Sequence, residues 1–578
     1  MTAKWAFILC NHTEASFSIT DMFAVLWHGL TLDLSTALYF LIIPFLFTMI
    51  AIWVKLPKWL MKPYYAIIAI AFSLAFVTDT CMYPFWHFKL DASWLQYLES
   101  PTEVMASVTT GYLVIRFFIF LILAGLLFTA YNKLAELPAS KGHGKWKELI
   151  IYIVLMPLMV IGIRGGLGES TTNIGQVYYS QNQFLNHSAV NPIFSFLYSL
   201  SHQLDDLTQY QFFEDSECNE LTVGVYTTES LHNDTLLNTD RPNILIILME
   251  SAGEQFASAM PHLQELKKEG VYFSHCFANS WRTDRGTLCT LSGYPSFPTL
   301  SVMKIPEKSR TLPSIANTLK QQGYQTSYLY GGDINFTNMR SYLISTGWEQ
   351  LKSMDDYSLS EQHTSQWGVR DDVTFQTIFN QITQSPTEVP QLWGYSTLSS
   401  HEPWDVPMKK LDNEVENAFY YLDDCLYQFI EKLKQTPQWN NLLIVMVADH
   451  GIIHGETDQM KPLKKNHIPM LWVGGAVRQP RTIAIICNQS DLAATLLGQL
   501  HLNHTEYTFS RDVLSKTYTA PTAVHNYNNV QWICDSTGHV LYDFDLQRLT
   551  ISESLDAERL ERLDKAIIQL TTTDLQNR

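Results

Sequence analysis

Residues 35–54, 64–86, 111–131 and 149–163 are nearly unbroken apolar stretches of bilayer-spanning length, and four in succession predict four transmembrane helices. A different pattern begins near residue 241. Residues 244–248 are five consecutive large apolar residues, too few to cross a bilayer and too uniform for a half-exposed strand, so they predict a central strand buried on both faces. Residues 442–447 repeat that signature. Shorter strand-like runs at 271–278, 326–330, 392–398 and 470–473 alternate with helical spacing, as in Leu312, Ile315, Ala316 and Leu319 and in the amphipathic stretch 414–433. Such alternation predicts an α/β domain with a mainly parallel sheet. Near the end, residues 530–544 read as a β-hairpin turning at Ser536-Thr537-Gly538, and Leu560, Leu563, Ile567 and Leu570 mark a final helix. The expected division is a transmembrane helical domain at 1–167, a connecting arm at 168–240 and an extracytoplasmic α/β domain with a small C-terminal hairpin and helix at 241–578.

Charge sets the orientation. Lys55, Lys58 and Lys62 fill the first short loop and Lys133, Lys141, Lys145 and Lys147 the third, whereas the loop between them carries Asp91, Glu99 and Glu103. The positive-inside rule places the lysine-rich loops in the cytoplasm and everything after Leu167 outside. Residues 1–34 then lie outside too, so either the N-terminus is translocated or a further, truncated span precedes the first; no signal peptide is evident. Asp79 and Arg116 fall inside predicted spans and are expected to face the bundle interior, paired with one another or with backbone. The apolar patch 192–200 is too short to cross and is expected to lie on the outer membrane surface. Of 578 residues only 16% are charged and the net charge is −17, which argues against a nucleic-acid partner and favours a small basic site for an anionic substrate. The eight cysteines form no Cys-x-x-Cys pair, and Cys276 and Cys487 read as buried thiols.

The two most apolar strands both end in metal-binding chemistry. The first runs into Glu250 and the second into Asp449-His450-Gly451, and parallel strands bring their carboxyl ends to one sheet edge, where ligands bind. Two carboxylates and an imidazole there suit a hard divalent cation. Taken singly, a Glu ending a strand or an Asp-His-Gly turn is usually structural; together they reinforce each other. Thr287 and Thr290 fall in an apolar rhythm and are expected to pack, Arg285 suits a surface charge as well as a phosphate ligand, and His262, His275 and His454 read as structural or surface residues.

Met249-Glu250-Ser251, Arg282-Thr283-Asp284-Arg285-Gly286, Tyr330-Gly331-Gly332-Asp333 with Asn338-Met339-Arg340, Ser400-His401-Glu402-Pro403 and Ala448-Asp449-His450-Gly451 follow one another along the chain. Their order and spacing resemble the lipoteichoic acid synthase family, phosphoglycerol transferases of the sulfatase and alkaline phosphatase superfamily. Residues 490–497 resemble the superfamily's late helix, and the multi-span anchor ending in Arg164-Gly165-Gly166 is similar to the family's. The resemblance implies a sulfatase-like fold and one divalent cation, Mn2+ or Mg2+, held by Glu250, Thr283, Asp449 and His450. It implies Thr283 as nucleophile, Arg282 as a neighbouring positive charge, and Asp333, Arg340 and His401 as the binders of a phosphoglycerol head group, with His401 also a plausible acid for the departing alkoxide. A metal-bound hydroxyl is a chemically sound nucleophile, because coordination lowers its pKa. Gly331 and Asn338 depart from the pattern, standing where well-known members carry histidine and tryptophan.

The leading expectation is therefore a membrane-anchored phosphotransferase that moves a phosphoglycerol-type group from a phospholipid such as phosphatidylglycerol to an envelope glycan or glycolipid, through a phospho-threonine. A phosphoethanolamine transferase on the same fold is the alternative. A sulfatase fits less well: Ser296-Phe297-Pro298-Thr299-Leu300 approaches the Cys/Ser-x-Pro-x-Arg motif but ends in Leu.

Overall fold

The computed structural model describes residues 2–13, 16–86, 89–91, 110–134, 145–201, 207–227, 234–362, 364–386, 388–455 and 461–578. Glu99, Glu103 and Lys141, used above to orient the loops, lie outside the described residues. The chain forms two compact units, Met1–Gln203 and Leu204–Arg578.

Among the described residues of the first unit, four helices are long and apolar enough to cross a membrane: Leu30–Ile50, Trp59–Pro84, Gly111–Leu134 and Trp146–Arg164. Each overlaps one of the four stretches picked out by hydropathy, the first two ending a few residues short of it. Two short helices, Thr2–Cys10 and Ile19–His28, precede them. Asp79 does not pair with Arg116; it binds Lys89 and accepts the Leu90 N–H at 3.0 Å. Lys89 lies just beyond the end of Asp79's helix and folds back onto it, a local solution that hydropathy does not reveal. Arg116 lies over the ring of Tyr112, one turn away on its own helix, at 4.8 Å. The apolar patch forms a helix, Pro192–Ser201, that packs on Leu30–Ile50 and Lys62–Trp86.

The second unit is built on an eight-stranded sheet. Its strands, with those of two smaller sheets, are β1 (Asn243–Met249), β2 (Val271–Phe273), β3 (Cys276–Phe277), β4 (Gln325–Tyr330), β5 (Gln350–Lys352), β6 (Gln391–Ser396), β7 (Leu442–Ala448), β8 (Met470–Val473), β9 (Arg481–Ile483), β10 (Cys487–Asn488), β11 (Ala523–Tyr527), β12 (Val530–Asp535), β13 (Gly538–Asp543) and β14 (Arg548–Ser554). The main sheet has the order β5-β4-β6-β1-β7-β8-β2-β9. It is parallel except at β8, which runs antiparallel to both β7 and β2. The run 271–278 divides at Ser274-His275, so β2 joins the main sheet and β3 pairs with β10. Cys276 and Cys487 face each other in that pair as buried free thiols. The expected C-terminal hairpin is the middle of a four-stranded antiparallel sheet, β11-β12-β13-β14, backed by the helix Ala557–Asn577.

β1 and β7 are the core of the domain. Every residue from Ile244 to Met249, and all of β7, is buried, as two-sided burial of uniformly apolar strands requires. Their register places Met249 beside Ala448, so Glu250 and Asp449 leave the sheet side by side. β6 and β4 continue the alignment, with Leu248 opposite Ser396 and Ser396 opposite Tyr330. The loops carrying Asp333, His401, Glu250 and Asp449 thus emerge in that order along one carboxyl edge.

Candidate active site

The sheet edge brings Glu250, Asp449 and His450 together, with one ligand atom from each lying within 4.8 Å of the others. His450 Nε2 is 3.6 Å from both Glu250 Oε1 and Asp449 Oδ2. Its Nδ1 faces the Gly451 carbonyl at 3.2 Å, which suits an Nδ1–H tautomer and leaves the Nε2 lone pair turned into the cluster. Thr283 completes the group: its hydroxyl donates to Glu250 Oε2 at 3.1 Å and lies 3.4 Å from His450 Nε2.

Local structure explains how these side chains are held. Ser251 turns the chain sharply after β1 at φ 58°, a left-handed conformation that is costly for a non-glycine residue. In return its N–H reaches Asp449 Oδ1 at 2.8 Å, and its hydroxyl donates to Glu250 Oε1 at 2.8 Å. The Glu250 backbone is fixed at both ends, its N–H on Thr397 Oγ1 at 2.9 Å and its carbonyl accepting from Ser400 Oγ at 2.6 Å. Thr283 is the first residue of the helix Thr283–Ser292, after Arg282 at the N-cap, so its hydroxyl sits where a helix favours negative charge. That helix approaches β7 so closely that a Cβ on Gly286 would fall 2.1 Å from the Asp449 carbonyl oxygen.

The donor set fits a divalent cation. Glu250 and Asp449 are only 4% and 1% exposed. Burial, followed by the Asp449 charge, raises the Glu250 carboxyl, and burial raises Asp449 to about 6. Burial also lowers His450, keeping it neutral and able to ligate. Asp449 Oδ2 is buried with no hydrogen-bond partner, an orphan acceptor beside a second carboxylate. A cation would satisfy it and offset the two buried negative charges.

Around this centre the other sequence candidates fall in two places. Arg282 is exposed beside Thr283. His401 is close enough to bias Glu250 and His450 electrostatically; its Nδ1 donates to the Glu402 carbonyl at 2.8 Å. Asp333 and Arg340 are joined through Asn335, which donates to Asp333 Oδ1 at 3.1 Å and accepts from Arg340 Nε at 2.7 Å. Arg285 is neither a surface charge nor part of the cluster: its Nη1 donates to the Phe297 carbonyl at 2.7 Å. Thr287 and Thr290 are buried, and Ser296 is buried with its hydroxyl on the Asn279 carbonyl, away from the cluster. Thr397 and Ser400 carry no signal of their own in a single sequence, because they act through hydrogen bonds to the Glu250 backbone, 147 and 150 residues away; Ser251 and Asn335 support near neighbours, Glu250, Asp333 and Arg340, through contacts that have no distinctive spacing.

The two departures at residues 331 and 338 have a structural reason. A Cβ on Gly331 would meet the Val369 carbonyl oxygen at 2.6 Å, so neighbouring backbone already fills the space a side chain there would need. Asn338 has φ 65° and turns inward, donating to the Lys304 carbonyl at 3.2 Å.

Residues 242–502 match the family described as Sulfatase. The chain is 23% identical over 285 residues to phosphoglycerol transferase I of Xanthomonas campestris pv. campestris, covering 45% of this chain and 40% of that protein. It is 22% identical over 366 residues to lipoteichoic acid synthase 1 of Bacillus subtilis, covering 59% and 57%. It therefore spans roughly two-fifths to three-fifths of the length of these curated relatives. A crystal structure of a protein in the alkaline phosphatase superfamily from Vibrio parahaemolyticus superimposes with a TM-score of 0.56 at 25% identity, over 64% of this chain and 98% of that one.

Proposed function

We propose that this chain, whose residues 242–502 match the Sulfatase family, is a membrane-anchored phosphotransferase that takes a phosphoglycerol-type group from a phospholipid, such as phosphatidylglycerol, and delivers it to an envelope glycan or glycolipid. The observation that carries this reading is the Thr283 hydroxyl, set at a helix N-terminus and 3.1 Å from Glu250 Oε2 within the carboxylate–imidazole cluster. The names of the two curated relatives support the substrate class, and the four apolar helices support an anchor beside the lipid donor.

Glu250, Asp449 and His450, with Thr283, would hold one divalent cation, Mn2+ or Mg2+. Its chemistry there is to lower the pKa of a coordinated hydroxyl and neutralise phosphoryl charge. Thr283 would enter as its ionised oxygen, the hydroxyl proton having been lost to solvent when the cation is taken up; Oγ1 attacks the phosphorus, a Thr–O–P bond forms, and the bond from phosphorus to the diacylglycerol oxygen breaks. Arg282 and the free N–H groups of the helix start offset charge on the phosphoryl oxygens. His401, fixed through Nδ1 by Glu402, presents Nε2 to give the proton the departing alkoxide needs. In the second half the acceptor hydroxyl attacks phosphorus, its proton returns to His401, and Thr283 leaves. Asp333 and Arg340, tied by Asn335, hold the glycerol end.

Full-length protein incubated with Mn2+ and head-group-labelled phosphatidylglycerol should release diacylglycerol and move label to a glycan acceptor. Release from phosphatidylethanolamine alone would reassign the transferred group, and turnover of sulfate esters with neither lipid cleaved would sink the proposal.

A further inference from the structure

Residues 365–368 form a tight turn, with Ser365 N–H on the Gly368 carbonyl at 2.9 Å and Gly368 N–H on the Ser365 carbonyl at 3.3 Å. The turn is seated on the backbone that follows β4. Gly368 has φ 141°, a Cβ there would fall 2.3 Å from the Gly331 carbonyl oxygen, and Val369 N–H donates to that same oxygen at 2.9 Å. Only glycines permit so close an approach, so the turn has little freedom to shift.

It carries Trp367 beside the candidate active site. The indole Nε1 donates to the Glu402 carbonyl at 2.6 Å, and the ring lies 4.4 Å from the His401 ring, tilted by 55°. Glu402 thus anchors both rings. Phe336 meets Trp367 edge-on at 6.0 Å and adjoins Asn335, the residue that joins Asp333 to Arg340. Trp367 and Phe336 are half-buried, presenting aromatic surface next to hydrogen-bonding groups of both signs.

We propose that Trp367 and Phe336 form the subsite for a pyranose ring of the acceptor, the indole face taking the apolar C–H face of the sugar. This inference rests on the reading of the site as a transferase to a glycan. A sugar ring matches the surroundings because its C–H face covers aromatic surface while its hydroxyl rim keeps hydrogen bonds with solvent and with polar groups bordering the rings, leaving Asp333 and Arg340 to the glycerol end. An acyl chain would desolvate those polar groups without replacing their hydrogen bonds. A cationic head group would lie against Arg340.

Binding and turnover are read separately. Saturation-transfer NMR with methyl β-D-glucopyranoside on the full chain in detergent should show sugar C–H contact that Trp367→Ala removes and Trp367→Phe largely keeps. In transfer assays Trp367→Ala should raise the KM for a β-glucan oligosaccharide about tenfold, a typical loss for one stacking contact. The same variant should reduce transfer to glycerol, a sugar-free acceptor, far less. Sugar contact without phospholipid cleavage would keep the subsite and remove the transferase reading. Equal saturation transfer in wild type and Trp367→Ala, parallel loss with both acceptors, or contact from ethanolamine in place of the glucoside would overturn the subsite.

Discussion

Gln489 Nε2 donates to the main-chain carbonyl of Asp449 at 2.9 Å, while its Oε1 accepts the Asn279 N–H at 2.7 Å. The same amide nitrogen lies 3.1 Å from Thr290 Oγ1 and 3.4 Å from the Gly286 carbonyl. One inaccessible side chain thus joins the end of β7 to the helix that begins at Thr283. Gln489→Leu should leave buried carbonyls and the Asn279 N–H unpaired, at about 1–3 kcal/mol for each unsatisfied group. Thermal melts and calorimetric Mn2+ titration should show a lower midpoint and weaker metal binding together. Unchanged metal affinity in a destabilised protein would confine Gln489 to a packing role.

What the sequence makes legible follows from how local each signal is. β1 and β7 are readable because two-sided burial demands an unbroken apolar run, and the residues that follow them, Glu250 and Asp449, are therefore readable as an edge pair. β11 is not, because His525 and Asn526 are buried polar residues that erase its alternation while serving the Ala278 carbonyl and the Asn279 backbone. The antiparallel direction of β8 is equally silent, since an apolar strand looks the same from either end. Gln489 and Trp367 act through partners far away in the chain, and no spacing rule reaches that distance.

Metal binding should weaken as pH falls through about 6. Burial holds the Asp449 carboxyl at about 6, above its ordinary 3.8, and raises Glu250 in the same direction. A group raised in the folded state binds its proton more tightly there than in the unfolded chain. Asp449 therefore makes the metal-free fold lose stability as pH rises from 3.8 to about 6, and a cation that binds the ionised form reverses that loss. Below about pH 6 the cation must displace a proton, so the apparent affinity should fall about tenfold per pH unit for each proton released. Calorimetry in two buffers of different ionisation enthalpy counts those protons; zero release at pH 5.5 would contradict the assignment. Asp449→Ala should bind far less metal at any pH.

Arg511 and Asp491 form a buried bidentate pair, Nε to Oδ1 at 2.8 Å and Nη2 to Oδ2 at 2.6 Å. The guanidinium also donates to Thr522 Oγ1 and to the Thr522 carbonyl, both at 2.8 Å, which ties the helix Leu492–Gln499 to the segment entering β11. Arg511→Met removes one partner and leaves a carboxylate without its countercharge, a change worth about 3–5 kcal/mol. The thermal midpoint of the second unit should fall by roughly 4–6 °C. Metal binding measured well below that midpoint should be near normal, since neither residue touches the cluster. A midpoint within about 1 °C of wild type would mean that water replaces the pair at little cost.

Thr283 is the residue on which the proposed chemistry turns. Thr283→Ala removes the attacking oxygen and one metal donor, yet the helix keeps its first turn because Arg285 and Gly286 still donate to the Arg282 carbonyl. Turnover should fall at least about a thousandfold, the scale expected when a covalent nucleophile is lost, with the melting curve little changed. Thr283→Ser keeps the hydroxyl and should retain part of the rate. Thr287, one turn further along the same helix, is fully buried, so Thr287→Ala tests whether any nearby hydroxyl serves; its effect should be mild. With a phosphatidylglycerol analogue and no acceptor, the second half-reaction is starved and a phosphoglycerol adduct should accumulate on Thr283, where peptide mass spectrometry can locate it. An adduct on Thr287 or Ser296 would move the nucleophile. Near-normal turnover by Thr283→Ala would eliminate the phospho-threonine and leave direct transfer between the two alcohols as the route.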